Sequence, residues 1–194
     1  MSARWEQTSS CVAYEDGRVR VVSDGVIQPD GTHSHYTVVD GLADSVMIIA
    51  VAHDDRILFL RQHRYPIDAL VLELPGGEIP TGVDPVDHAR TELAEEAGLE
   101  ASAYTSLGRF ATWPARARHW GNVVVASGLD LTQASLDGQE GDESIQEVLA
   151  IAPSDVRRLI ADGSIFDAAT LCALAIYWAR EGQASAADRS PTSP

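Results

Sequence analysis

The sequence has few basic residues, few cysteines and no long hydrophobic run. Its 194 residues include 14 Lys and Arg against 29 Asp and Glu, which gives a formal net charge of −15. A negatively charged surface repels the phosphate backbone of nucleic acids and the anionic headgroups of lipids, so we expect neither nucleic acid nor a membrane as partner. An acidic protein can still bind a small polyanion when metal ions bridge the two. The longest apolar run, residues 46–52, is far shorter than the ~20 residues of a transmembrane helix and predicts a buried strand.

Cysteine is represented by Cys11 and Cys172 alone, which are too few for a disulfide framework. Cys172 falls in an apolar helical stretch, where we expect it to pack in the core. The first six residues carry no apolar segment of the signal-peptide kind. These features predict a protein of the reducing cytoplasm.

The most informative feature that is present is a group of three carboxylates on one predicted helix. Glu92, Glu95 and Glu96 stand at i, i+3 and i+4, so a helix places them on one face. Like charges there repel one another unless a cation lies between them, and hard cations such as Mg²⁺ take carboxylate oxygens. Considered alone, the same residues are also typical of a solvated acidic face.

The residues before this helix favour the functional interpretation. Residues 72–77 predict a strand that runs into a glycine-rich turn. Asp84 is a typical helix N-cap, and Pro85 is typical of the first helical position. Gly98 is typical of the residue that ends a helix. A buried stripe repeats at every fourth position: Ala89, Leu93 and Ala97. The predicted unit is therefore a strand, a glycine loop and a short helix.

This unit resembles the signature of the Nudix hydrolases, G-x5-E-x7-R-E-U-x-E-E-x-G-U, in which U is a large aliphatic residue. The chain matches it without gaps at Gly77, Glu92, Leu93, Glu95, Glu96, Gly98 and Leu99. Two positions depart, because Val83 stands in place of the first Glu and Thr91 in place of Arg. We interpret this as the loss of a structural ion pair beneath the loop, replaced by a Val–Thr contact at modest cost. The alternative is that metal binding and activity are weakened or lost.

The sequence around the signature is most similar to the ADP-ribose pyrophosphatase branch. Residues 60–66 followed by 73–77 resemble the strand pair that precedes the signature in that branch. Pro114 lies sixteen residues after Gly98, where the branch commonly carries a proline. The resemblance extends over residues 5–181.

The resemblance implies an α/β fold in which a Nudix-type mixed sheet is sandwiched between helices. We expect an N-terminal β-ribbon segment over residues 1–42, with strands at 18–23 and 35–40. The Nudix hydrolase domain is then residues 43–182, with its last helix ending at Gly182. Residues 183–194 are rich in Ala, Ser and Pro and are predicted to be a disordered tail.

The resemblance also assigns the site. The implied metal ligands for Mg²⁺ or Mn²⁺ are Glu92, Glu95, Glu96 and the backbone carbonyl of Gly76. The implied catalytic residues are Glu92, Glu96 and Glu143. Glu143 lies in the loop where the branch places a carboxylate that orients the water, and Glu140 in the same loop is the alternative. The candidate substrate-binding residues are Arg64, Arg61, Glu73, Pro114, Arg116 and Arg118.

The predicted function is divalent-metal-dependent hydrolysis of a nucleoside diphosphate sugar, with ADP-ribose cleaved to AMP and ribose 5-phosphate. One alternative is a non-catalytic Nudix domain that binds a nucleotide sugar, which Val83 and Thr91 favour. Another is a Nudix pyrophosphatase of a different substrate class, such as a nucleoside triphosphate. In the ADP-ribose branch the N-terminal segment packs across a two-fold axis, which implies a homodimer. The competing hypothesis is a monomer whose ribbon folds back on its own domain.

Overall fold

The structure is a computed structural model that describes residues 4–134 and 145–188. The strands within these residues are β1 (Glu6–Glu15), β2 (Arg20–Ile27), β3 (His33–Asp40), β4 (Ser45–Ala52), β5 (Ile57–Arg64), β6 (Ala69–Glu73), β7 (Ala103–Ala111), β8 (Trp120–Leu129) and β9 (Ile145–Ile151). The α-helices are α1 (Pro85–Ala97), α2 (Pro153–Ala161) and α3 (Ala168–Asp188). The predicted α/β class with a mixed sheet is confirmed. The chain divides into two compact units, which are described in turn.

The first unit contains residues 4–44 and the segment Ala111–Trp120. Its strands form an antiparallel sheet in the order β1-β2-β3. The predicted two-stranded ribbon is therefore wrong, because it lacks β1. All ten residues of β1 are exposed. Because β1 buries neither face, its sequence lacks the alternation of polar and apolar residues by which strands are recognised. The backbone N–H of Arg118 donates to the carbonyl of Val39 at 3.0 Å and ties the segment to β3.

The second unit is built on a six-stranded sheet in which β4 is central. The strand order is β6-β5-β4-β8-β7, and β9 pairs with β5. Strand β4 runs parallel to β8, whereas β5 is antiparallel to β4, β6 and β9. The sheet is therefore mixed, as predicted.

Helices cover both faces of this sheet. Side chains alternate between the two faces along a strand, so β4 supplies both cores. Val46, Ile48 and Ala50 pack with the buried stripe of α1. Met47 and Ile49 pack with Val156 of α2 and with Ala173 and Leu174 of α3.

Strand β4 pairs with β5 only near the turn that joins them, at Val51 and Ile57. Closer to the start of β4, the same backbone bonds to the glycine-rich segment instead. Val46 N donates to Gly77 O at 2.9 Å, and Ile48 N donates to Pro75 O at 2.8 Å. The glycine turn is thus fixed to the central strand by backbone hydrogen bonds.

The ends of α1 agree with the sequence, whereas the end of α3 does not. Asp84 accepts a hydrogen bond from the N–H of Val86 as the N-cap, and Gly98 ends α1 with φ of 64°. Helix α3 continues through Gly182 to Asp188, so the predicted stop at Gly182 is wrong. The predicted burial of Cys172 is also wrong, since its side chain is exposed. No helix within the described residues is long and apolar enough to cross a membrane.

Candidate active site

Helix α1 presents Glu92 and Glu96 to the glycine turn because the apolar stripe next to them is fixed in the core. Ala89, Leu93 and Ala97 are completely buried against the sheet. Glu92 and Glu96 are one turn apart on the helix, and each reaches one residue of the turn. The structure thus brings together two of the three glutamates and the Gly76–Gly77 segment.

Glu96 is hydrogen-bonded to the backbone of the turn. Its Oε2 accepts from the N–H of Gly76 at 2.8 Å, and the residue is only 3% exposed. Gly76 has φ of 148°, and a Cβ there would collide with the carbonyl oxygen of Val46. A side chain at position 76 is therefore excluded both by the backbone conformation and by the neighbouring strand.

Glu92 occupies the space that a side chain at Gly77 would take. A Cβ on Gly77 would lie 2.5 Å from Oε1 and 2.8 Å from Oε2 of Glu92. The same oxygen, Oε1, also lies 2.8 Å from Nε2 of His88. Glu92 is half-buried between the turn and this imidazole.

Glu95 is half-buried, and nothing in the structure places it against the turn. Within residues 4–134 and 145–188, no three His, Cys, Asp or Glu side chains are arranged to hold a metal ion. Glu92 faces His88 and Glu96 faces a backbone N–H, so each carboxylate has a polar neighbour other than the second carboxylate. The donors nevertheless fit Mg²⁺ or Mn²⁺, because hard carboxylate oxygens meet at a turn that lacks side chains and leaves them room.

A cavity of about 410 Å³ opens beside Gly76 in the second unit. Its polar side chains are Arg64, Glu73 and Asp167, and its other side chains are apolar, Phe166 among them. Nε of Arg64 donates to Oε2 of Glu73 at 3.2 Å, and Nη2 of Arg64 lies 2.9 Å from Oε1. The cavity thus combines a guanidinium, which suits phosphate, with apolar walls.

Glu73 is a buried carboxylate whose pKa is raised. Burial is the main cause, and the nearby charge of Asp167 raises the pKa further, while Arg64 opposes both. The carboxylate fixes the guanidinium at the cavity wall, because both of its oxygens contact Arg64. We infer that Glu73 orients Arg64 there.

Each of the other predicted substrate-binding residues has contacts within its own unit. Arg61 points to Glu147 of β9, with Nε 2.9 Å from Oε2, as an exposed pair. Three of the candidates belong to the first unit: Pro114, Arg116 and Arg118. Arg116 stacks over the ring of Tyr36 at 5.0 Å, and Arg118 pairs with two carboxylates of that unit. Pro114 lines a concave surface that also includes Trp5 and Tyr36.

The two departures from the signature are not buried. Val83 is 40% exposed and Thr91 is exposed. Our interpretation of a buried ion pair replaced by a Val–Thr contact is therefore wrong, because neither position is shielded from water. Glu143 and Glu140 lie outside the described residues.

Sequence reasoning missed His88 and Asp167 as parts of the site. The signal for His88 was its position four residues before Glu92, which places the two side chains on one helix face. Asp167 precedes α3, where its Oδ2 accepts from the N–H of Thr170 at 2.7 Å. Its position at the cavity depends on how α3 packs on the sheet, and the residues around Asp167 in the sequence do not indicate that packing.

Known proteins resemble this chain in sequence and fold. The NUDIX domain family matches residues 41–172. A methanol dehydrogenase activator of Bacillus methanolicus is 29% identical over 170 residues, covering 87% of this chain and 90% of that protein. An ADP-ribose pyrophosphatase of Bacillus subtilis (strain 168) is 29% identical over 146 residues, covering 75% of this chain and 77% of that protein. The crystal structure of an ADP compounds hydrolase has the same fold, with a TM-score of 0.81 at 22% identity over 94% of this chain and 98% of that chain. The resemblance stated from the sequence is confirmed.

Proposed function

The chain belongs to the NUDIX family, and we propose that it is a divalent-metal-dependent hydrolase of nucleoside diphosphates linked to a second moiety. As a Nudix pyrophosphohydrolase it acts on a phosphoanhydride bond. The substrate that we propose is ADP-ribose, which water cleaves to AMP and ribose 5-phosphate. Similarity to an ADP-ribose pyrophosphatase supports this choice.

One observation carries the proposal. Glu92 and Glu96 approach adjacent residues of one glycine turn, and the cavity that holds Arg64 begins at that same turn. A diphosphate needs charge neutralisation at its bridge and a cationic group nearby, because its negative charge opposes the approach of a nucleophile's electron pair to phosphorus. The arrangement offers carboxylates for metal ions and a guanidinium for phosphate within one part of the molecule.

Each residue has a separate task in this proposal. Glu92, Glu95, Glu96 and the carbonyl of Gly76 hold Mg²⁺ or Mn²⁺, which when bound neutralises the diphosphate and polarises its P–O bonds. Glu73 orients Arg64, and Arg64 binds a phosphate oxygen.

Water forms a new bond to phosphorus as the bond to the bridging oxygen breaks. The two products leave as phosphate monoesters, and the proton of the water passes to a carboxylate. We propose Glu143 for that carboxylate, with Glu140 as the alternative.

A second candidate is a Nudix protein whose role is accessory rather than catalytic. Two observations favour it: the departures at Val83 and Thr91, and the similarity to a protein described as a methanol dehydrogenase activator. The glutamates at 92, 95 and 96 favour the hydrolase, because all three match positions of the Nudix signature that bind metal ions. A Nudix pyrophosphatase of another substrate class remains the third candidate.

A substrate panel distinguishes these candidates. The purified protein is incubated with ADP-ribose, other nucleoside diphosphate sugars and nucleoside triphosphates, with Mg²⁺ and with EDTA, and products are separated by ion-exchange chromatography. We expect AMP and ribose 5-phosphate from ADP-ribose in Mg²⁺ and none in EDTA. Faster turnover of a triphosphate would assign another substrate class. Binding of ADP-ribose without turnover would support the accessory role.

We also propose that the protein is a cytoplasmic homodimer. Strand β1 is exposed along its whole length, and its apolar side chains Val12 and Tyr14 are more than half exposed. An edge strand of this kind is a ready surface for pairing with another chain. Both cysteines are free, as is usual in a reducing compartment.

A further inference from the structure

Glu92 has a neighbour that the Nudix signature does not specify. The signature places Arg directly before this glutamate, whereas here that position is the exposed Thr91. The base that approaches Glu92 is instead His88, one helical turn earlier. Its Nε2 lies 2.8 Å from Oε1 of Glu92.

The imidazole is held in place by its surroundings. His88 is 8% exposed, because it lies next to Ala89 on the buried side of α1. In the part of the chain that the structure describes, Nε2 of His88 makes no well-directed hydrogen bond, and Glu92 is its close polar neighbour. A buried ring nitrogen without a good hydrogen bond is costly, and the carboxylate of Glu92 is near enough to supply an acceptor for it.

The contact with His88 involves one of the two carboxylate oxygens of Glu92. His88 approaches Oε1 of Glu92, and a Cβ on Gly77 would lie 2.5 Å from the same Oε1 and 2.8 Å from Oε2, so the carboxylate lies against both the imidazole and the turn. A side chain that holds one oxygen of a metal-binding carboxylate fixes the direction in which the other oxygen points. A rigid ring suits this task, since it has few rotamers to lose.

We propose that His88 is a positioning residue that orients Glu92 toward the Gly76–Gly77 turn and so sets the affinity of the site for its divalent metal. This inference rests on the proposed metal-dependent function, which supplies the role of Glu92. It also accounts for the tolerance of Thr91, because the orienting base is present at a different position of the same helix.

The test measures metal binding without substrate. Mn²⁺ affinity is determined by electron paramagnetic resonance for the parent protein, His88→Ala and His88→Gln, and thermal unfolding is recorded for each. His53→Ala is the matched control, because His53 lies in the exposed turn after β4. We expect His88→Ala to weaken Mn²⁺ binding by about 10-fold to 100-fold, as is typical when the partner of a metal ligand is removed.

His88→Gln keeps an N–H donor near the same place, so we expect it to restore most of the Mn²⁺ affinity. The metal concentration for half-maximal rate should rise in His88→Ala, while KM for ADP-ribose at saturating metal stays near the parent value. If both variants bind Mn²⁺ like the parent, even with a lower melting temperature, His88 is only a packing residue and the inference is wrong. If the parent itself binds no Mn²⁺ and hydrolyses nothing, the proposed function fails together with the inference.

Discussion

At the scale of single residues, two adjacent glycines are required for different reasons. A Cβ on Gly76 would meet the backbone of Val46, whereas the three atoms nearest a Cβ on Gly77 all belong to the carboxylate of Glu92. Backbone atoms of a central strand cannot move aside, but the end of a glutamate side chain can. Gly76 is therefore needed for the fold, whereas Gly77 leaves the space that the carboxylate of Glu92 occupies.

Substitution by alanine should separate these roles. We expect Gly76→Ala to lower the free energy of unfolding by more than about 2 kcal/mol, since it combines strain and a backbone collision. Gly77→Ala should change stability by less than about 1 kcal/mol, yet weaken Mn²⁺ binding because Glu92 is displaced. Chemical denaturation and Mn²⁺ titration measure the two effects. A Gly77→Ala protein with unchanged Mn²⁺ affinity would contradict the placement of Glu92 at the metal.

Glu73 predicts a dependence of stability on pH. Its pKa is raised above the ordinary value of 4.5, mainly by burial. The folded protein thus holds this proton more tightly than the unfolded chain does, so this contribution to stability is present below pH 4.5 and is lost as the pH rises through the raised pKa.

Glu73→Gln removes that titration and keeps a side chain of similar size. The melting temperature of the parent should therefore fall relative to that of Glu73→Gln as the pH is raised from below 4.5 toward neutrality. Melting curves of the two proteins over this pH range measure the difference. A difference that moves in the opposite sense would show that the attraction of Arg64 outweighs burial.

At the scale of elements, the two departures from the signature are exposed, one just before helix α1 and one on the helix. Val83→Glu with Thr91→Arg restores the family residues at these positions. Because both are exposed, the new pair should act as a surface ion pair, with a coupling below about 1 kcal/mol in a double-mutant cycle. Urea denaturation of the parent, both single variants and the double variant gives this coupling. A coupling above about 2 kcal/mol would show that the positions are shielded from water.

The sequence predicted elements best where local chemistry decides them. Both ends of α1 agree with the prediction, because they depend on local signals: the N-cap at Asp84 and the glycine at Gly98. The buried stripe through Leu93 is likewise a local pattern. Strand β1 was missed because its ten residues are all exposed and leave no pattern. The stop at Gly182 was wrong, since a glycine ends a helix only when the backbone there turns left-handed.

For the site, the sequence supplied the glutamates and the glycine turn but not their partners. The match to the Nudix family was enough to name Glu92, Glu96, Gly76 and Gly77 as parts of one site. The contact between Arg64 and Glu73 depends on the pairing of β5 with β6, and the position of Asp167 depends on the packing of α3. Such contacts arise from tertiary structure, and no residue spacing encodes them.

At the scale of the whole molecule, we expect the protein to be a homodimer. Light scattering at micromolar concentration should give about twice the chain mass of 20.8 kDa. The physical reason is that β1 buries neither face within its own chain, and strands of this kind gain stability when another surface covers them. A fully active monomer would show that the N-terminal sheet serves its own chain only.

The central claim is that the glutamates of α1 and the glycine turn form a metal-dependent centre for phosphoanhydride hydrolysis. Glu96→Gln tests it, because glutamine keeps an oxygen that can accept from the N–H of Gly76 but removes the charge. Glu100→Gln is the control, since it removes an exposed carboxylate just beyond the helix. The measurement is the rate of AMP formation from ADP-ribose at saturating Mg²⁺. We expect a loss of at least about 100-fold for Glu96→Gln, about 3 kcal/mol in barrier, and near-parental activity for the control. A Glu96→Gln protein as active as the parent would contradict it.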